Sequence, residues 1–345
     1  MWKRHAIAFV GLIGSLSVAC AQDFRIEDAG SAPNWSLAQL KPGTIAFSDE
    51  VGGAAAGRAN LISFEEWGRT RPVQMKFLSL FPGYIEPTVV KTASTGASTG
   101  PAPEKLIMYV AQARFVLDRP PGSIDLSRYV ALPFLEKIDP AIKDKVIAGA
   151  DVNPLKDQQG TGNENPDRKW CTGRVTLICI QSGYKLEGKI PIGIMLVNKL
   201  RESAKKVSDR IDFESELSEL SPADVDQAGL KELTALDSPI GGVLEQNIFY
   251  VNQIMKFGKL LAVFQNYPND ANKTVVTTFM VLAIEASVLD KKKEFEKMPV
   301  LRNLVPAEVL MGRSSFNSGD SISAGLPKYA RNEIRTIADI LQRDK

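Results

Sequence analysis

The chain has 345 residues, with 42 Lys and Arg against 40 Asp and Glu, and 24% of its residues are charged. A nearly neutral chain of this length can bury a large core, but it lacks the excess positive charge by which proteins bind nucleic acids and anionic membranes. His5 is the only histidine, and it lies in the N-terminal segment that we predict to be removed as a signal peptide, so we expect the exported chain to have neither Ser-His-Asp nor Cys-His catalysis, nor a zinc site built on histidine.

The first 21 residues carry the pattern of a secretory signal peptide. A Lys-Arg pair precedes an apolar run that ends in Ala19-Cys20-Ala21, and this run is too short to cross a bilayer. We therefore predict cleavage before Gln22 and an exported protein, periplasmic or secreted, with no membrane span. Cys20 leaves a lipid anchor open as an alternative, which Ser17 disfavours because a lipoprotein signal has a large aliphatic residue at that position.

The next part of the chain, residues 22–91, mixes single aromatic residues with Gly, Pro and Ala, and we interpret it as loop-rich with one short strand, Thr44–Phe47. Residues 92–103 (TASTGASTGPAP) are a low-complexity tract that predicts a linker or an exposed loop. The glycine-rich segment 52–58 lacks the lysine of a phosphate loop. The polar tract 151–169 lacks the spacing of a calcium loop. We therefore predict no cofactor and no metal.

Residues 104–345 are predicted to form one α+β domain, an antiparallel sheet flanked by amphipathic helices. Alternating polarity predicts strands over Leu106–Leu117, Arg174–Ser182 and Arg210–Leu220, the last with its acidic row facing solvent. β-Branched residues predict a hairpin of Leu260–Gln265 and Thr274–Ala286. Helical spacing and capping signals predict helices over Pro140–Ala148, 191–207, Ser221–Leu236, Val243–Phe257, Pro299–Met311 and Pro327–Gln342.

Cys171 and Cys179 are the two cysteines that remain after removal of the signal peptide. A continuous strand would place their Cα atoms about 26 Å apart, whereas a disulfide needs about 4.4 to 6.8 Å. We predict a structural disulfide, which requires the chain to double back through Thr172-Gly173-Arg174. A redox-active pair is the alternative, but no CxxC spacing is present.

The second strand of the predicted hairpin is apolar on both faces, so both of its faces must be covered. Our first hypothesis is an exported, non-enzymatic protein whose sheet-helix interface binds an apolar small molecule or an envelope partner. Candidate contacts to the apolar ligand are Phe213, Phe249, Phe264 and Phe279. A fully packed core explains the same four residues.

Two further hypotheses belong to other classes. A histidine-free hydrolase is one, because Ser182-Gly-Tyr-Lys185 and Ser203-Ala-Lys-Lys206 match the SxxK of serine-lysine acyl transferases, although no KTG follows. A histidine-free hydrolase could instead use paired carboxylates, as glycosidases do, and the candidates are Glu65-Glu66 or residues within Asp212–Glu216. A structural or assembly protein of the cell envelope is the remaining hypothesis.

Overall fold

The computed structural model describes residues 24–28, 40–49, 62–63, 106–140, 142–148, 171, 176–185, 210–249, 255–268, 270–285 and 318–344. Within these ranges the strands are β1 Arg25–Asp28, β2 Thr44–Asp49, β3 Ile62–Ser63, β4 Leu106–Leu117, β5 Ile142–Val146, β6 Leu177–Lys185, β7 Arg210–Leu220, β8 Ile240–Phe249, β9 Met255–Tyr267 and β10 Asp270–Glu285. The α-helices of the same ranges are α1 Leu132–Ile138, α2 Gln227–Thr234 and α3 Ser318–Arg343, and short 3-10 helices span Pro121–Ser123 and Leu126–Tyr129.

The strands join into one sheet in the order β1-β2-β4-β10-β9-β8-β7-β6-β5, and β3 also pairs with β4. β1 and β2 are parallel, and the other pairs are antiparallel. β4 pairs with β10 along its whole length, from Leu106 to Leu117. Three strands that precede residue 91 therefore belong to the same sheet as the strands that follow residue 104.

One side of the sheet packs against α3, and we call it the α3 face. It carries Tyr109, Phe115, Phe264, Met280 and Leu282. The helix contributes one stripe of buried residues at spacings of three and four, Leu326, Ala330, Ile334, Ala338 and Leu341. The main contacts of α3 are with β4, β2, β1 and α1, so the helix lies toward one end of the sheet.

The other side packs against α2, and we call it the α2 face. It carries Met108, Val110, Leu261, Val263 and Phe279, against which α2 places Leu230 and Leu233. The two ends of α2 are both held by side chains, since Asp226 accepts a 3.0 Å hydrogen bond from the backbone of Gly229 and buried Arg114 donates to the carbonyl of Thr234. Burial lowers the pKa of Arg114 to about 10, which keeps its charge at neutral pH.

Several sequence predictions are confirmed. The chain forms a sheet-dominated α+β fold, and the strands predicted over Leu106–Leu117 and Arg210–Leu220 have those bounds. β2 contains the predicted strand Thr44–Phe47. The predicted hairpin is β9 and β10, whose strands are longer than expected. The helix predicted over Pro327–Gln342 lies inside α3, which begins at Ser318.

Two helix predictions are wrong. Within the range Val243–Phe257, the residues up to Phe249 belong to β8 and those from Met255 belong to β9. The polar residues Glu245 and Asn247, which interrupt the apolar alternation, are buried in the sheet. Pro140–Ala148 contains β5, which pairs with β6 at the edge of the sheet. The helix nearby is α1, which ends at Ile138, so strand pairing overrides the local capping signal.

Two other expectations need correction. In the acidic row of β7, Glu214 is buried and Glu216 is half-buried instead of facing solvent, while the side chain of Asp212 lies outside the described residues. The helix predicted to begin at Ser221 is limited to α2, with Asp226 at its N-cap. The Ser221 hydroxyl instead donates a 2.6 Å hydrogen bond to Asp224 in the turn before the helix.

The remaining predictions lie outside the described residues. They are the signal peptide 1–21, the glycine-rich segment 52–58, the carboxylates Glu65 and Glu66, the linker 92–103, the polar tract 151–169 and the helices over 191–207 and 299–311.

Candidate functional site

A continuous row of side chains crosses the α3 face in the middle of the sheet. Strand register places Tyr109 beside Leu282, Leu282 beside Gly258, and Gly258 beside Ile248. The row continues through Ser215 to Ile180. The row is apolar apart from the hydroxyl groups of Tyr109 and Ser215. Its residues share one face because paired residues on neighbouring strands point to the same side of the sheet.

The hydroxyl of Tyr109 is the unusual group in this row. Tyr109 is 1% exposed, and its oxygen has no hydrogen-bond partner among the residues that the structure describes. Leaving a polar group buried without a partner costs about 1 to 3 kcal/mol. Burial, and then the charge of Asp49, raise the pKa of Tyr109 well above its ordinary value, although the charge of Arg331 opposes them. The phenol therefore stays protonated and is available as a hydrogen-bond donor.

The positive charge near Tyr109 is the guanidinium of Arg331, which is already ion-paired. Arg331 of α3 makes a 2.5 Å ion pair from Nη2 to Oδ1 of Asp28, and its guanidinium lies 4.8 Å from the centre of the Phe47 ring. Asp49, which acts on Tyr109 through its charge, adds a second acidic group. The charge of Asp49 affects the pKa of Tyr109 more than the charge of Arg331 does, so these two groups together disfavour an added negative charge at the Tyr109 hydroxyl.

A second polar group lies toward the β5 edge of the same face. The Ser182 hydroxyl of β6 donates a 2.5 Å hydrogen bond to Oδ1 of Asp144 in β5. Burial raises the pKa of Asp144, while the bond from Ser182 lowers it. A neighbouring pair is formed by Gln246, whose amide donates to the Ser215 hydroxyl at 3.1 Å. The far end of the row is thus bounded by side chains that are hydrogen-bonded to each other.

The position of Ser182 bears on the serine-lysine hypothesis. Ser182 and Lys185 both belong to strand β6, where positions three apart fall on opposite faces. A serine and a lysine in an SxxK motif come together only when a helix places them one turn apart. The helical arrangement that the motif needs is therefore not present at Ser182 and Lys185, while Ser203 lies outside the described residues.

The α2 face carries a polar cluster of Glu216, Glu245, Asn247 and Lys259. The Asn247 amide donates to Glu245 at 2.8 Å and to Glu216 at 3.0 Å. The ammonium group of Lys259 donates to the Asn247 side-chain oxygen. Glu245, Asn247 and Lys259 are nearly inaccessible to solvent, so the cluster joins β7, β8 and β9 by charged and amide groups inside the fold.

The predicted disulfide is present beside this cluster. The Cα atoms of Cys171 and Cys179 lie 5.7 Å apart and their sulfur atoms are bonded, which confirms the pairing. Strand β6 begins at Leu177, later than the sequence pattern indicates, as a bonded pair requires. The backbone N–H of Cys171 donates a 3.0 Å hydrogen bond to Glu216. The disulfide therefore holds a donor against the polar cluster.

The four candidate phenylalanines do not lie together. Phe264 is 1% exposed and belongs to the core of the α3 face. Phe213 is half-buried. It lies on the α3 face, because it is four residues before Leu217 in β7 and residues an even number apart in a strand share a face. Phe279 is buried on the α2 face. Phe249 ends β8 opposite Glu214, and its side chain lies outside the described part of the structure. Their role as ligand contacts stays a prediction.

Comparison with known proteins gives only weak similarities. No protein-family model and no curated protein sequence matches the chain. Among solved structures, the Zhui aromatase/cyclase from Streptomyces sp. R1128 is 12% identical with a TM-score of 0.31, over 68% of this chain and 92% of that one. DR_A0006 from Deinococcus radiodurans is 13% identical with a TM-score of 0.24, over 50% and 82%. Mll3558 from Rhizobium loti is 8% identical with a TM-score of 0.24, over 59% and 98%. No function is carried over from similarities this low.

None of the helices among the described residues has both the length and the apolar character needed to cross a membrane. In the same ranges, no three Cys, Asp or Glu side chains are grouped so that they could hold a metal ion.

The sequence pattern placed Tyr109 but did not predict the charged groups around it. Alternation placed Tyr109 correctly on an apolar face of β4. The neighbouring charges come from β2 and α3, which are distant in sequence. The available signal was a tyrosine on an apolar face of the strand, and it does not indicate which groups will surround the hydroxyl.

Proposed function

We propose that the chain binds an apolar small molecule on the α3 face, between α3 and the β8–β5 end of the sheet, without catalysing a reaction. The lining would come from the row of Tyr109, Leu282 and Ile248 and from its neighbours Leu260 and Leu217. Apolar side chains with a few convergent polar groups are the usual composition of small-molecule sites.

The placement of the helices supports this proposal. The main contacts of α3 are with strands β1, β2 and β4, and α1 packs against β5 and α3. The 3-10 helices contact β8, β9 and β10, where Leu126 meets Gly242. Helices thus lie on the α3 face near β1, near β5 and at the beginning of β8, while Leu260 on the same face is only half-buried. A ligand at Leu260 would lie between these helices.

The observation that carries the proposal is the hydroxyl of Tyr109. It is buried among apolar residues, and no described residue is its hydrogen-bond partner. A purely structural core residue at this position would be better served by phenylalanine, because the hydroxyl adds a desolvation cost without a hydrogen bond. A ligand that pairs with the hydroxyl would offset this cost.

Fluorescence of N-phenyl-1-naphthylamine, an apolar dye, tests the proposal. We expect saturable binding to the wild type and at least about tenfold weaker binding to Leu260→Trp, which enlarges a half-buried side chain on the α3 face. The matched control is Val116→Trp, at a half-buried position on the other side of the sheet. Absence of saturable binding, or equal loss in both variants, would contradict the proposal. Native mass spectrometry of gently purified protein would show any ligand that is retained.

Export is part of the same proposal. It is supported by the charged and apolar pattern of residues 1–21 and by a bonded cysteine pair, which is typical of oxidising compartments. Expression of the full chain in a bacterium, followed by fractionation and intact mass measurement, should give a protein outside the cytoplasm that begins at Gln22. A full-length cytoplasmic product would argue against export, and an acylated Cys20 would indicate the lipid-anchored alternative.

A further inference from the structure

We propose that the ligand of the α3 face carries a neutral, hydrogen-bond-accepting oxygen, such as a ketone or ester carbonyl, that receives the Tyr109 hydroxyl. This inference rests on the proposed function and specifies the chemistry of the ligand. Three properties of the site support it: the direction of the available hydrogen bond, the local charge and the surrounding apolar surface.

The direction of the hydrogen bond follows from the protonation state of Tyr109. Burial and the charge of Asp49 both disfavour the phenolate, so the hydroxyl keeps its proton over the physiological pH range. A neutral phenol pairs most favourably with an oxygen that accepts. A ligand with only apolar atoms would leave the hydroxyl without a hydrogen-bond partner among the described residues and the ligand.

The local charge favours a neutral oxygen over a carboxylate. Arg331 is ion-paired with Asp28 and stacks on Phe47, and its Nε has no acceptor among the described residues. Asp49 is 3% exposed and acts on Tyr109 through its charge. A carboxylate placed beside Tyr109 would be repelled by Asp49 more than it is attracted by Arg331, and its desolvation would add to the cost.

The remaining surface near Tyr109 is apolar. Leu282 of β10 lies directly beside it in the sheet register, and Ala330 and Leu326 of α3 belong to the same cluster. A ligand oxygen could accept the hydrogen bond of the hydroxyl, while the hydrocarbon or aromatic part of the ligand packs against these apolar side chains. A neutral carbonyl on an apolar skeleton is therefore the ligand class that the site fits.

Three naphthalene probes of similar size test the inference by displacement of N-phenyl-1-naphthylamine. They are 2-acetylnaphthalene, which has a ketone, 2-ethylnaphthalene, which lacks an oxygen, and 2-naphthoate, which is charged. We expect the wild type to bind the ketone about 2- to 10-fold more tightly than the hydrocarbon, the range of one neutral hydrogen bond. Tyr109→Phe should abolish this preference and leave the affinity for the hydrocarbon within about twofold.

The matched control is Tyr129→Phe, a second buried tyrosine of the same cluster, whose hydroxyl is bonded to Arg119 at 3.3 Å. It should keep the preference for the ketone. A melting temperature of Tyr109→Phe at or above that of the wild type would show that the variant folds, since the substitution removes a buried hydroxyl without a described partner. A ketone preference that survives in Tyr109→Phe, or tightest binding of 2-naphthoate, would overturn the inference while leaving the proposed function intact. No dye binding by the wild type would overturn both.

Discussion

The hydroxyl of Tyr329 donates a 3.0 Å hydrogen bond to Oε1 of Glu333, one turn further along α3. Glu333 is half-buried by exposed area, and its Oε2 atom has no hydrogen-bond partner in the described ranges. Burial raises the pKa of Glu333 to about 7, the bond from Tyr329 lowers it, and the charge of Asp139 adds to the rise. Ionisation of Glu333 therefore lowers the free energy of unfolding at neutral pH.

This relationship predicts a pH dependence of folding. An unfolded Glu titrates near pH 4.3, so between about pH 4.3 and 7 the folded chain binds the additional proton and the free energy of unfolding falls as pH rises. Replacing Glu333→Gln should remove this slope and raise the free energy of unfolding by about 2 to 3 kcal/mol at pH 8. Urea unfolding at pH 4 to 8 measures it. Glu136→Gln, at an exposed position of α1, is the control, and an equal slope in wild type and Glu333→Gln would contradict the prediction.

Arg119 holds the end of α3. Its Nη2 donates to the Leu341 carbonyl at 2.6 Å and its Nη1 donates to the Asp344 carbonyl. The last carbonyls of a helix otherwise lack partners and carry partial negative charge. Arg119→Met should lower the free energy of unfolding by about 1.5 to 3 kcal/mol, measured by urea unfolding. Exposed Arg128→Met should have little effect, and similar midpoints for both variants would show that the Arg119 contacts contribute nothing.

The accuracy of sequence prediction in this chain depended on whether a strand's polar residues face solvent or the interior. In Leu106–Leu117 the alternation is clear, because the polar positions are few and Tyr109 and Phe115 share a face. In Val243–Phe257 the alternation is broken by Glu245 and Asn247, which are buried against β7 and β9. No local pattern distinguishes a buried polar residue from an exposed one, because its partners come from other strands.

The same limit applies to the candidate site. The alternation in β4 identifies Tyr109 as an inward residue, but Asp49 and Arg331 reach it through the pairing of β2 with β4 and the packing of α3. Strand order and helix placement are non-local properties. The environment that makes the hydroxyl a donor could therefore not be predicted from the residues around position 109.

Gly242 makes room for the 3-10 helix that follows β4. A Cβ atom at this position would overlap Cδ1 of Leu126, whereas a Cβ at Gly122 would meet nothing within 4 Å. Gly242→Ala should therefore lower the free energy of unfolding by about 1 to 3 kcal/mol, and Gly122→Ala is the control. In a Leu126→Ala background the cost of Gly242→Ala should fall, since the clashing atoms are absent. Equal costs in both backgrounds would exclude the clash as the cause.

The disulfide between Cys171 and Cys179 closes a short loop. On a chain-entropy estimate a loop of this length stabilises the fold by about 2 to 3 kcal/mol. The double variant Cys171→Ser/Cys179→Ser should unfold at correspondingly lower urea concentration, and dithiothreitol should shift the wild type but not the variant. Two free thiols in the non-reduced protein, measured by mass spectrometry, would contradict the bonded pair.

Lys259 is the cation of the polar cluster on the α2 face. Its ammonium group donates to Asn247, which in turn donates to Glu245 and Glu216. Removing a charged member of a buried network leaves the opposite charges uncompensated, which typically costs about 3 to 5 kcal/mol. Lys259→Met, which keeps much of the aliphatic stem, should therefore lower the free energy of unfolding by this amount, while exposed Lys137→Met should not change it by more than about 0.5 kcal/mol.

A second substitution separates lost charge from lost packing. If Lys259 acts by balancing the acidic side chains, Glu245→Gln should recover part of the stability lost in Lys259→Met, because the new amide side chain would carry no charge and its oxygen could still accept from Asn247. If the stem of Lys259 matters instead, the two changes should add. Urea unfolding of the four chains in this double-mutant cycle distinguishes the outcomes, and additivity within about 0.5 kcal/mol would refute the electrostatic role.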